Sequence, residues 1–125
     1  MSVLTQVASR LRAEGGLLAA TVTEAQGEQT GWEPIEAIRE GYLLHYAARA
    51  RIVATEDPDL GLLAGDRLYA LGLEELAGLG ELEAVRTMAA VIADAAAAQA
   101  AGDQATAEAA WNRAPQGASP PTADR

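Results

Sequence analysis

Apolar residues along this chain recur three and four positions apart through most of its length, which is the spacing of one face of an α-helix. Val3, Leu4, Val7, Ala8 and Leu11 follow it directly after Ser2, whose hydroxyl suits an N-cap, so a first helix is expected at the start. Gly15 and Gly16 break or bend it, and the pattern resumes from Leu17 to about Ala25. The stretch "GEQTGWEP" reads as a loop that sets Pro34 in the first turn of a second helix. From Pro34 to about Ala48, Ile35, Ile38, Tyr42, His45 and Tyr46 share one side, the predicted core face.

"RARIVATEDPD" interrupts the helical pattern, and Arg51 to Ala54 suit an extended segment too short to make a sheet. Asp57 and Asp59, on either side of Pro58, offer capping carboxylates for a third helix from about Leu60 to Ala77. After the turn "GLGE", a fourth helix runs from about Glu81 to Ala101, with Leu82, Val85, Ala89, Ile92 and Ala96 on its predicted inner side. Glu83, Thr87 and Asp94 lie outside. Asp103 caps a short fifth helix, "QATAEAAW", and the Pro-, Gly- and Ser-rich end reads as a disordered tail. The expected fold is all-α: a bundle of four to five helices over residues 1–112, with residues 113–125 as the tail and no internal repeat or second domain.

Composition sharpens the picture. Half of the residues are apolar, yet Trp32, Trp111, Tyr42, Tyr46 and Tyr69 are the only aromatics, so the core must be built from Leu, Ala, Val and Ile. Small side chains of high helix propensity suit close helix packing. The formal charge is −9 and there is no lysine, which argues against nucleic acid as a partner because phosphate binding needs clustered cations. Without cysteine there is neither disulfide nor thiolate chemistry, in keeping with a cytoplasmic location. The N-terminus lacks the basic start and unbroken apolar segment of an export signal, and no apolar run reaches the roughly 20 residues of a transmembrane segment. Docking on a membrane protein stays open.

Within "LGLLAGDRLYALGLEEL" an aspartate interrupts an apolar run. With Leu60 at 0° on a helical wheel, Asp66 falls near 240°, between Leu62 at about 200°, Leu73 at about 220° and Ala77 at about 260°. A carboxylate on an apolar side must be paired, hydrogen-bonded or protonated. His45 and Arg49, on the second helix, are its expected partners, either in a structural contact or in a ligand site. Gly61, Gly65 and Gly72 form a second feature, a narrow strip without side chains. Each helical glycine costs about 1 kcal/mol relative to alanine, so the strip implies close approach by a neighbouring helix or by a partner.

"LLAGDRLYALGLEELA" resembles the helix that follows the first aspartate-rich motif of the trans-polyprenyl diphosphate synthases, and "EAIREGYLLHYAARARI" resembles the early helix of that family. The family's two aspartate-rich motifs, which hold magnesium against a diphosphate, are missing: "EDPD" carries Pro58 inside it, and no lysine is present to bind diphosphate. The resemblance therefore implies a reduced, non-catalytic relative, like the small subunits of heteromeric prenyl diphosphate synthases, or a module that holds a prenyl chain among Tyr42, Tyr46, Leu62 and Leu73.

Other chemistries find little support. A single histidine excludes a multi-histidine centre, and His45 lacks the Glu-x-x-His spacing of di-metal bundles. Ser2, Ser9 and Ser119 lie in a terminal helix or the tail, so no serine triad is expected, and no glycine loop follows a strand to cradle phosphate. The sequence thus leads to a non-catalytic accessory or scaffold subunit without cofactor or metal, working through a protein partner or as a homo-oligomer.

Overall fold

The computed structural model describes residues 2–26, 31–47 and 49–115, and it is all-helical. Six α-helices follow in order: α1 (Val3–Arg12), α2 (Gly16–Ala20), α3 (Glu33–Tyr46), α4 (Pro58–Gly78), α5 (Leu82–Ala100) and α6 (Gln104–Ala110). A 3₁₀ turn, Trp111–Arg113, closes the described chain. Among the described residues, no helix is long and apolar enough to cross a membrane.

Ser2 caps α1 by accepting from the Thr5 N–H at 3.1 Å, and Leu4, Val7, Ala8 and Leu11 form its buried stripe. The chain then turns through Gly15 and Gly16, at φ 75° and 60°, conformations that side chains disfavour. α2 stops at Ala20, short of the expected Ala25. The β-branched run Thr21–Val22–Thr23 leaves the helix. Val22 pairs antiparallel with Val53, with Thr23 N–H donating to Ile52 O at 2.7 Å and Ala54 N–H to Thr21 O at 2.9 Å. The extended segment read at residues 51–54 thus finds its partner in the end of a segment read as helix.

α3 and α4 pack along each other at the centre of the molecule. α4 begins two residues earlier than expected, at Pro58, because Asp57 accepts from both Asp59 N–H and Leu60 N–H. Two cores flank the pair. One joins Trp32, Ile35, Ile38 and Tyr42 to Leu76 of α4, to α5 and α6, and to Trp111. The other joins α1 to Ala37, Ile52, Val53 and to Ala64, Leu68 and Leu71 of α4.

Two expectations need correction here. The buried stripe of α5 is Ala84, Met88, Val91, Ala95 and Ala98, one residue away from the expected Leu82–Val85–Ala89–Ile92–Ala96 stripe, and Leu82 is 58% exposed. In an alanine-rich helix both stripes are apolar, and Met88 is the larger anchor. The ordered domain also extends past residue 112: Arg113 pairs with Asp94 at 2.8 Å and Ala114 is buried. Residues 116–125 of the expected tail lie outside the described residues.

Candidate functional site

The buried carboxylate of this fold is not Asp66. Glu40 of α3 is fully enclosed, one turn after Glu36 and beside the buried Ala37 and Gly41. It accepts from Ile52 N–H at 2.7 Å, from Arg51 N–H at 2.8 Å and from Arg51 Nε at 3.1 Å. The same guanidinium donates to Glu36 Oε1 at 2.6 Å and to Glu36 O at 3.1 Å. Every polar partner in this clamp is thereby satisfied from within the chain, and the clamp holds residues 51–52 in place, where Ile52 O accepts from Thr23 N–H and Arg51 O from Gln26 N–H. Sequence reasoning passed over it; the signal was the i, i+4 pair Glu36 and Glu40 lying among small apolar residues.

Asp66 lies at the surface, its side chain 65% exposed. His45 Nε2 comes within 2.9 Å of Asp66 Oδ1, so the expected pair forms at ion-pair distance, but without hydrogen-bond alignment. Arg49 does not join it: α3 ends at Tyr46, and Arg49 is an exposed residue in the following connection. The physical reason lies in the glycines. The face of α4 turned inward is Gly61, Ala64, Gly65, Leu68, Leu71, Gly72 and Leu76, centred near 90° on the same wheel, and Asp66 stands about 150° away.

The glycine strip divides. A Cβ added at Gly65 would lie 2.7 Å from His45 Cδ2, and one at Gly72 would lie 2.5 Å from Ile38 Cγ1 and from Pro34 O. Both therefore admit α3 at close range, joined from the other side by Gly41, whose added Cβ would meet Gly65 O at 2.7 Å. Gly61 has only Thr55 Cγ2 nearby, at 3.6 Å.

Of the four residues considered for a prenyl chain, Tyr42 and Tyr46 meet with ring centroids 5.2 Å apart, but Leu62 stands apart from the other three. Tyr42 is buried, its hydroxyl accepting from Gln99 Nε2 at 2.9 Å, and its ring stands 5.1 Å from that of Trp111. Burial, above all, raises its pKa. Leu73 packs half-buried against the same core, whereas Tyr46 is 40% exposed. Leu62 instead lines a mixed polar cavity of about 680 Å³ with His45, Arg49, Thr55 and Asp57, which neither tyrosine nor Leu73 enters.

A more apolar site lies between α2 and α4. Leu17 and Leu18 form one wall; Leu60, Leu63 and Ala70, spaced along a single stripe of α4, form the other, around a groove of about 550 Å³. Leu17 and Leu63 are 73% and 59% exposed, although neither contributes to a core. The Gly15–Gly16 turn is what sets α2 beside this stripe. The run of leucines was legible in the sequence, but Leu62 was assigned to the inner, apolar side, whereas it is 42% exposed.

The groove's border is acidic. Asp66 lines it, and Asp59, seven residues earlier, shares that edge of α4. Arg67, the cation of the lining, donates to Glu14 at 2.7 Å and to Glu74 at 3.3 Å; the Glu14 bond, chiefly, raises its pKa. Its charge is therefore met by two carboxylates, leaving the border negative.

Among the described residues no group of three acidic or histidine side chains converges to hold a metal ion. Comparison of the chain with family models, with curated proteins and with solved structures gave no match.

Proposed function

We propose that the chain is a non-catalytic helical accessory subunit that binds a protein partner through the groove between α2 and α4. The observation that carries this reading is the pair Leu17 and Leu63, held open to solvent on facing helices beside Leu18, Leu60 and Ala70. Water contact at apolar surface costs roughly 25 cal/mol per Å² relative to burial. Leu17 and Leu63 belong to neither core, so a binding role accounts for their exposure better than folding does.

The test is affinity purification of the tagged chain from its native source, under conditions that preserve complexes, beside a Leu17→Ser/Leu63→Ser variant. A partner should accompany the parent in stoichiometric amount and be lost from the variant, while the two chains melt at similar temperatures. Purification of the parent alone would overturn the proposal, as would a partner retained equally by the variant. The same reading expects no magnesium-dependent turnover of an allylic diphosphate; product formation that Asp66→Ala abolishes would overturn its non-catalytic part.

A further inference from the structure

We infer that the occupant of this groove is a basic amphipathic α-helix presented by another protein, an inference that rests on the protein-binding reading above. Shape comes first. The stripe Leu60–Leu63–Arg67–Ala70 spans eleven residues of helix, about 15 Å from end to end at 1.5 Å per residue. That length accommodates the anchors of a helix at i, i+3 or i+4, and i+7, which span about 10.5 Å. Other modes of peptide capture lack their hardware here. Adding a strand requires a free sheet edge, but both walls are helices. Polyproline recognition requires an aromatic trough, but the lining is Leu, Ala and Gly with Asp66 and Arg67.

Charge then selects among helices. Asp66 lines the α4 side, with Asp59 seven residues before it on the same side of that helix, Glu14 and Glu74 already occupy Arg67, and the chain as a whole carries −9. An acidic helix, an anionic membrane surface or a second copy of this chain would each bring like charge to the border. A helix with leucine-type residues on one face and lysine or arginine beside them brings opposite charge. Its apolar face covers Leu17 and Leu63 while its cations reach the aspartates.

The experiment uses the full chain and three fluorescent peptides of equal length. The first carries Leu at i, i+3, i+4 and i+7 with Lys elsewhere; the second replaces Lys by Glu; the third keeps the first composition in scrambled order. Binding is read by fluorescence anisotropy. The first peptide should bind about tenfold more tightly than either of the others, and weaken as salt rises from about 50 to about 200 mM. Leu63→Ser and Leu17→Ser should each weaken it, whereas Leu82→Ser, an exposed leucine on α5 away from the groove, should not. Asp59→Asn/Asp66→Asn should narrow the preference for Lys over Glu without changing the melting temperature.

Equal binding of the three peptides would overturn the inference, as would indifference to Leu63→Ser. So would sedimentation showing a dimer that Leu63→Ser dissociates, since a second copy would then fill the groove. A native partner that depends on Leu17 and Leu63 but docks through an acidic or non-helical segment would sink this inference alone. A parent chain that purifies without any partner sinks the reading beneath it.

Discussion

Two carboxylates of similar chemistry sit in opposite circumstances. Glu40 is enclosed and accepts from two backbone N–H groups and the Arg51 guanidinium, whereas Asp66 meets His45 at the surface. Removing one partner of a buried charged network costs about 3–5 kcal/mol, because the remaining charge and donors stay buried without a partner. Glu40→Ala is therefore expected to lose stability in that range. Glu40→Gln should lose less, since the amide keeps one acceptor, though its NH₂ group then faces donors. Exposed ion pairs contribute roughly 0–1 kcal/mol, so Asp66→Ala should shift the urea midpoint little. A larger shift for Asp66→Ala than for Glu40→Ala would reverse this assignment. The helical wheel misplaced Asp66 because leucines outweigh glycines in an apolar pattern, and here glycines mark the inward face.

Contact between whole elements rests on that same exchange of side chain for proximity. Because α3 lies against Gly65 and Gly72, Gly65→Ala and Gly72→Ala should each cost roughly 1–3 kcal/mol by overpacking. Gly61→Ala has room and should instead gain up to about 1 kcal/mol from helix propensity. Thermal melts of the three single variants separate these signs, and stabilisation by Gly72→Ala would contradict the packing described. The all-helical class, most boundaries, the Ser2, Asp57 and Asp103 caps and close approach at Gly65 and Gly72 were legible in the sequence, because each depends on local chemistry, whereas the count of six helices exceeds the four to five expected. The inner side of α5 was not, since alanines line both candidate stripes, and packing against α3, α4 and α6 selects Met88 and Val91. The Val22–Val53 pairing was equally hidden: it joins residues far apart in the chain, and neither segment is long enough to announce a strand. For the groove, the sequence displayed the leucines but not their exposure, which depends on where the Gly15–Gly16 turn delivers α2.

At the scale of the whole molecule, one arginine ties three helices. Arg10 of α1 lies 3.4 Å from Glu33 of α3 and 3.8 Å from Glu75 of α4. Burial first, and Glu75 second, raise the pKa of Glu33 above 4.5, against the lowering effect of Arg10. A raised folded-state pKa means that the folded chain binds this proton more tightly than the unfolded chain. Glu33 therefore contributes stability fully below the unfolded value, and that contribution is lost as pH rises through the folded value. Glu33→Gln cannot ionise, so its stability relative to the parent should increase between about pH 4 and pH 7. Urea midpoints of both chains across that window report the difference, and a constant or shrinking difference would refute the direction.

The two cores on either side of the α3–α4 pair carry a consequence for how the protein opens. A segment exchanges its amide protons through the cheapest excursion that frees them, and such excursions follow cooperative units. Lifting α5 and α6 away disrupts the core around Met88 and Trp111 but leaves Leu4, Val7 and Leu68 together; peeling off α1 does the reverse. Among the described helices, only α3 and α4 are held by both. Hydrogen exchange should accordingly resolve three tiers, with the central pair slowest and the two flanks independent. Met88→Ala should hasten exchange throughout α5 and α6 while α1 keeps its rate, and Leu4→Ala should do the opposite. The chain would then behave as two separately hinged covers closed on one spine.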